Sequence, residues 1–209
     1  MAGVGTNDWT SNELRAAPRI SLMLRAAKLV CPAGEFLCIL RDVSATGLKV
    51  RLFHALPAAR PLTIELGSGD RYPVDPVWEK DNHAGFRFIG EVDLAGLIDE
   101  SGRYPKRQLR LKLDQPVIVT AGEVNQTARL GNISQHGAMI ETQHKLALSQ
   151  LVQVQGPGLP TRHARVRWRK GAAHGLVFQD GFRLDELALL VAGLQRTAPT
   201  TGLPVRINH

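Results

Sequence analysis

The feature that most constrains this chain is an internal repeat. Asp42, Ser44, Gly47, Trp78, Gly85 and Phe88 recur in the same order as Asn132, Ser134, Gly137, Trp168, Gly175 and Phe178, each 90 positions further on. An arginine pair precedes each copy: Arg15 and Arg19, then Arg103 and Arg107, with the first members 88 apart. So many matches in one order across a 209-residue chain indicate one structural unit written twice. The stretch Arg103-Tyr104-Pro105-Lys106-Arg107 closes the first copy and opens the second, which divides the chain into units 1–98 and 99–209.

Within each unit the pattern is that of short strands. Leu48 to Leu52, Leu62 to Leu66 and Gly85 to Phe88 alternate with period two, and turn residues such as Pro32-Ala33-Gly34 and Gly67-Ser68-Gly69-Asp70 punctuate them. The second unit replays the order. Strands are expected from Arg110 to Val119, irregular at Pro116, then at 126–130, 138–141, 151–155, 163–169 and 175–178. In His163 to Arg169 the alternation puts Ala164, Val166 and Trp168 inward and three arginines outward. Trp78 is expected to fill the first core in the same way. Connections this short leave no room for crossover helices, so the expected fold is all-β: two consecutive antiparallel barrels that hide their strand edges by closing. Each ends in a short helix. Residues 93–100 suffice for one or two turns, and Leu184, Leu187, Ala188, Val191 and Leu194 form a helical stripe that covers a barrel mouth.

Charge separates the halves. The first 98 residues carry eleven basic and eleven acidic side chains, so the net +7 of the chain lies entirely in the second half. That favours phosphates, nucleic acid or an acidic protein surface as partner. Cys31 and Cys38 are too few for a disulfide framework and are read as reduced, packed thiols. No apolar run is long enough to cross a membrane, and no secretory leader is apparent, so a cytoplasmic location without membrane insertion is expected.

The chemistry lies in the repeated pairing of Arg-x-x-x-Arg with Asp/Asn-x-Ser-x-x-Gly. A guanidinium fork can grip two phosphate oxygens or the O6/N7 edge of guanine, and its flat face can stack on a purine. Asp42 or Asn132 supplies an acceptor for the N1–H and N2–H side of guanine. Ser44 or Ser134 can donate or accept. Gly47 or Gly137 suits a place where a side chain would block close approach or where φ must be positive. Together these residues describe a site for a guanine-bearing anion. The alternative is a serine-capped turn with solvated arginines nearby, duplicated as a folding signal.

On these motifs, and on the segments from Trp78 to Phe88 and Trp168 to Phe178, the chain resembles two consecutive PilZ domains, over approximately residues 15–98 and 103–195. The resemblance implies six-stranded antiparallel barrels, each with an arginine-bearing arm and a cyclic di-GMP ligand held between arm and barrel. By motif position Arg15, Arg19, Arg103 and Arg107 would contact phosphates and the guanine Hoogsteen edge. Asp42, Ser44, Asn132 and Ser134 would contact the base, and Gly47 and Gly137 would permit the close turn. The second site ranks higher because Lys106 and Arg110 add positive field to its arm. Since that arm is also the link between units, ligand would fix how the two barrels face each other, with output through a protein partner or self-association. The expected protein is therefore a receptor and not an enzyme, needing no cofactor beyond its ligand.

The remaining features carry less. His136, His144, His163 and His174 match no metal-binding spacing and are read as exposed or locally bonded, with stacking of His136 on a ligand as the secondary case. Ser134 and His136, two apart with no orienting acid, make a poor nucleophile–base pair. Arg162, Arg165, Arg167, Arg169 and Lys170 form a basic run. With Trp168 assigned inward, that run lacks the interleaved aromatics that single-stranded nucleic acid requires, so nucleic-acid binding there ranks below an acidic partner. A PilZ-like protein with a structural or partner-binding role and no ligand is the other alternative.

Overall fold

The computed structural model describes residues 20–98 and 108–197. They form two closed six-stranded antiparallel barrels. The first comprises β1 (Ile20–Cys31), β2 (Gly34–Ser44), β3 (Gly47–Leu52), β4 (Leu62–Glu65), β5 (Arg71–Lys80) and β6 (His83–Phe88), followed by the single-turn α1 (Leu94–Ile98). The second comprises β7 (Leu111–Ala121), β8 (Val124–Ser134), β9 (Gly137–Glu141), β10 (Leu151–Gly156), β11 (Leu159–Lys170) and β12 (Ala173–Phe178), followed by α2 (Leu184–Thr197). Around the first barrel the order is β1-β2-β3-β6-β5-β4, and the second repeats it. The duplication read from the 90-residue offset is thus a duplication of topology.

Alternation builds both cores. In β3 the buried residues are Leu48, Val50 and Leu52, and in β10 they are Val152 and Val154, the inward half of a period-two pattern. β2 departs from it. Phe36, Leu37, Cys38, Ile39 and Leu40 are all buried, as a strand covered on both faces must be. Phe36, Cys38 and Leu40 face the first core, whereas Leu37 belongs to the core of the second barrel. The cover is shared by α2. Its Leu187, Ala188, Val191 and Leu194 enter the second core as the leucine stripe predicts, while Ala192 enters the first. The two barrels therefore share an apolar seam made by β2 and α2.

The helices are capped as physical chemistry requires. Asp93 accepts from the Ala95 backbone N–H at 3.0 Å at the start of α1. Asp185 and Glu186 occupy the first turn of α2 and Arg196 its last turn, matching the helix dipole. Arg25 of β1 donates to the carbonyl of Leu97 and ties α1 to its barrel.

One expectation fails in both barrels. Trp78 and Trp168 do not plug the cores; each is 40% exposed. The reason is a β-bulge. The β5–β6 register slips between Pro76 and Trp78, and the β11–β12 register between Val166 and Trp168. One extra residue reverses the facing of everything beyond it. Ala164 and Val166 point inward as expected, at 0% and 1% exposure, and the bulge then turns Trp168 out. Pro116 itself pairs with Arg129; the irregularity expected there lies just before it, between Lys112 and Gln115.

Candidate functional site

Each Asx-x-Ser-x-x-Gly motif forms a tight hairpin at one barrel end. In the first, Ser44 closes β2, Gly47 opens β3 and the two are cross-strand partners. The Ser44 hydroxyl donates to the Gly47 carbonyl at 3.2 Å and lies 3.3 Å from Thr46 Oγ1. In the second, the Ser134 hydroxyl donates to the Gly137 carbonyl at 3.1 Å. The serines thus act first as turn clamps. Gly47 and Gly137 are required for close approach, since a Cβ on either would stand 2.2 Å from a backbone oxygen, that of Phe86 or Leu176. No side chain longer than hydrogen fits there, because the neighbouring strand crosses directly over the turn.

Beside each hairpin stands a tryptophan. Gly85 lies under Trp78, and Gly175 under Trp168; a Cβ on either glycine would fall 2.1 or 2.0 Å from the indole Nε1. Each indole lies against bare backbone. In the first barrel Asp42, Ser44, Gly47, Lys49, Trp78 and Arg87 share one cleft of about 280 Å³. The cleft therefore offers an acidic acceptor, a hydroxyl, an aromatic surface and two cations. Trp78, Lys49 and Arg87 escaped the sequence reading of the site. The signal for the tryptophan was present, because Trp recurs seven residues before Gly in both repeats; parity alone concealed its facing.

In the second barrel Asn132 Oδ1 accepts from Arg110 Nη1 at 3.1 Å. Arg110 and Trp168 border a wider cleft of about 600 Å³ whose opposite wall is the Gly67-Ser68-Gly69 turn of the first barrel, with Lys28 and Glu65. The hairpin is stitched to the end of β12 and to the segment that follows it: Phe178 N–H donates to the His136 carbonyl at 2.9 Å and Phe182 N–H to the Gln135 carbonyl at 2.8 Å. His136 is exposed and approaches Gly181, where a Cβ would be 2.4 Å from Nδ1. The structure brings together Asp42, Ser44 and Gly47 in one barrel and Asn132, Ser134 and Gly137 in the other. Arg15, Arg19, Arg103 and Arg107 lie outside the described residues.

The basic run separates into parts. Arg162 is held in the fold, ion-paired to Glu186 and with its guanidinium 4.0 Å from the Phe182 ring centroid. Arg165 donates to the Ser149 carbonyl at 2.7 Å. Arg165, Arg167, Arg169 and Lys170 are exposed, now with Trp168 among them. His174 is buried and locally bonded, its Nδ1 2.9 Å from the Ala172 carbonyl. Among the described residues no cluster of three or more His, Cys, Asp or Glu side chains could hold a metal ion, and no helix is long and apolar enough to cross a membrane.

The family model of the PilZ domain matches residues 103–196, the stretch that holds the second barrel and α2. No curated protein matches the chain. Several solved structures are similar over most of it. The PlzA protein of Borreliella burgdorferi, solved in complex with c-di-GMP, is 10% identical, with 83% of this chain and 92% of that one covered and a TM-score of 0.36. The inhibitor of motility MotI/DgrA of Bacillus subtilis is 12% identical, with 84% and 97% covered and a TM-score of 0.35. YcgR of Escherichia coli, in complex with c-di-GMP, is 12% identical, with 83% and 84% covered and a TM-score of 0.31.

Proposed function

We propose that this chain is a cyclic di-GMP receptor whose two units, 1–98 and 99–209, each carry a ligand site. The observation that carries the reading is the shared cleft of Asp42, Ser44, Gly47 and Trp78, on a chain whose second half matches the PilZ family. Asp42 presents a charged acceptor suited to the N1–H and N2–H edge of guanine, with Trp78 as a flat surface beside it for base contact. Lys49 and Arg87 add positive charge for the phosphates. A cleft of about 280 Å³ is at the small end for a ligand pocket. In this reading Arg15 and Arg19 supply a further wall, as Arg103 and Arg107 do for the second site.

The second site works between barrels. Arg103 and Arg107 precede β7, and the cleft beside Trp168 is walled by the first barrel. Ligand that gathers these arginines favours one arrangement of the barrels only to the extent that it binds that arrangement more tightly. The output is therefore a change of shape read by a protein partner or by self-association, and no bond is made or broken.

Calorimetric titration with cyclic di-GMP, beside its linear dinucleotide and GTP, tests the reading. Selective heat from the cyclic dinucleotide is expected, with Arg19→Ala and Arg107→Ala each removing one site. Equal weak heat from all three anions would refute it.

A further inference from the structure

The seam between the barrels contains a charged cluster, of which Lys28 and Glu65 border the second cleft while Glu35 stands behind it. Lys28 of β1 and Glu35 of β2 are 6% and 5% exposed. Lys28 Nζ lies 3.1 Å from Glu35 Oε2 and 2.5 Å from Glu65 Oε1, and Arg71 pairs with the other oxygen of Glu65 at 2.7 Å. Ions withdrawn from water in this way carry a desolvation cost that a well-packed apolar group would avoid. What the cluster reaches is informative. Lys28 Nζ donates to the Arg110 carbonyl at 3.3 Å, and Glu35 Oε2 accepts the Lys112 backbone N–H at 2.9 Å. Gln195 of α2 donates to the carbonyl of that same Lys112 at 3.0 Å.

Both contacts converge on Asn132. Lys112 is its direct cross-strand partner, and the Arg110 side chain donates to its Oδ1. The first barrel therefore grips the chain at two points, one just before β7 and three residues after Arg107, the other within β7 at the cross-strand partner of Asn132. We propose that Glu35 and Lys28 are positioning residues for the second ligand site, through which the first barrel sets the placement of Asn132 and of the Arg110 backbone. This inference rests on the reading of Asn132 as a base acceptor. It makes the affinity of the second site depend on a residue that touches no ligand, and it joins barrel docking to ligand binding through one set of hydrogen bonds.

The experiment uses the full chain. In an Asp42→Ala background, which leaves the second site alone, Glu35→Ala is expected to weaken cyclic di-GMP binding about tenfold, roughly the effect of one hydrogen bond to a charged group. Glu35→Gln, whose amide oxygen still accepts the Lys112 N–H, is expected to recover most of it. Hydrogen exchange at the Lys112 amide is expected to quicken in Glu35→Ala and not in Glu35→Gln. In an Asn132→Ala background, which leaves the first site alone, Glu35→Ala is expected to change nothing. Unchanged second-site affinity with unchanged Lys112 exchange would overturn the proposal, as would equal weakening of both sites. If the parent binds no cyclic di-GMP, the receptor reading fails and takes the ligand-site role with it, while exchange at Lys112 still decides whether Glu35 holds the strand.

Discussion

Trp78 and Gly85 are in such close contact that a single methyl group at Gly85 would stand 2.1 Å from the indole nitrogen. The same relation holds between Trp168 and Gly175. A Trp–Gly pair facing outward in both barrels, next to the motif hairpin, marks where each barrel presents an aromatic surface.

This contact makes the indole's part in binding testable. Gly85→Ala is expected to push Trp78 off its seat, raise its solvent exposure and weaken first-site binding by about tenfold, the scale of one lost stacking contact. Quenching of tryptophan fluorescence by acrylamide, alongside a binding isotherm in an Asn132→Ala background, reads both effects. Unaltered quenching would show that the indole does not depend on the bare backbone beneath it.

At the hairpins the constraint is backbone against backbone. Gly47→Ala and Gly137→Ala each place a methyl group 2.2 Å from a carbonyl oxygen, and a strand carbonyl cannot swing aside as a flexible side chain can. Each is expected to cost about 3 kcal/mol or more, measured by denaturant unfolding. Gly69→Ala is the control for open space, since a methyl group there would meet nothing within 4 Å, although its φ of +96° adds strain of its own.

Much of this architecture is legible in the sequence because period-two alternation and the 90-residue offset both report on it. Leu48, Val50 and Leu52 face the core as their spacing says. The facing of Trp78 and Trp168 is not legible, because a bulge shifts parity by one residue and its position depends on the partner strand. Nor is the seam. The apolar run from Phe36 to Leu40 signals burial on both faces, but alternation cannot say that the second face belongs to the other barrel. Lys28, Glu35 and Glu65 are ordinary surface residues by type, and only the closing of β1 against β2 and β4 gathers them. The motif residues Asp42, Ser44 and Gly47 could be singled out because they recur 90 residues on as Asn132, Ser134 and Gly137.

The two cysteines differ in environment. Cys38 is fully buried, its thiol donating to the Ala27 carbonyl at 3.5 Å, whereas Cys31 is half-buried. Burial pushes the Cys38 thiol up from 9.0 to about 12. A thiol reagent at mildly alkaline pH is therefore expected to modify Cys31 quickly and Cys38 only on unfolding. Between these two values the unfolded thiol ionises while the folded one stays protonated. The unfolded state then binds fewer protons, so stability falls as pH rises, by up to about 1.4 kcal/mol per pH unit. Cys38→Ser is expected to flatten this alkaline slope in denaturation curves.

Glu65 should show the opposite dependence. Burial alone would raise its pKa, but hydrogen bonds from Lys28 and Arg71 outweigh burial and hold it below the ordinary carboxylate range. Its contribution is then present above that range and lost as pH falls through the folded value, roughly from pH 5 downward. Urea denaturation across acid pH should show a steeper loss for the wild type than for Arg71→Ala, in which one of those two donors is gone. Equal slopes would mean that the guanidinium does not stabilise the carboxylate.

The central claim is that each barrel binds cyclic di-GMP through its own Asx-Ser-Gly hairpin. The most direct measurement is calorimetric stoichiometry for wild type, Asp42→Ala, Asn132→Ala and the double variant, each checked for folding by its melting curve. The account predicts that each single substitution removes one class of site, and that the folded double variant binds nothing. Undiminished binding by that double variant would contradict it.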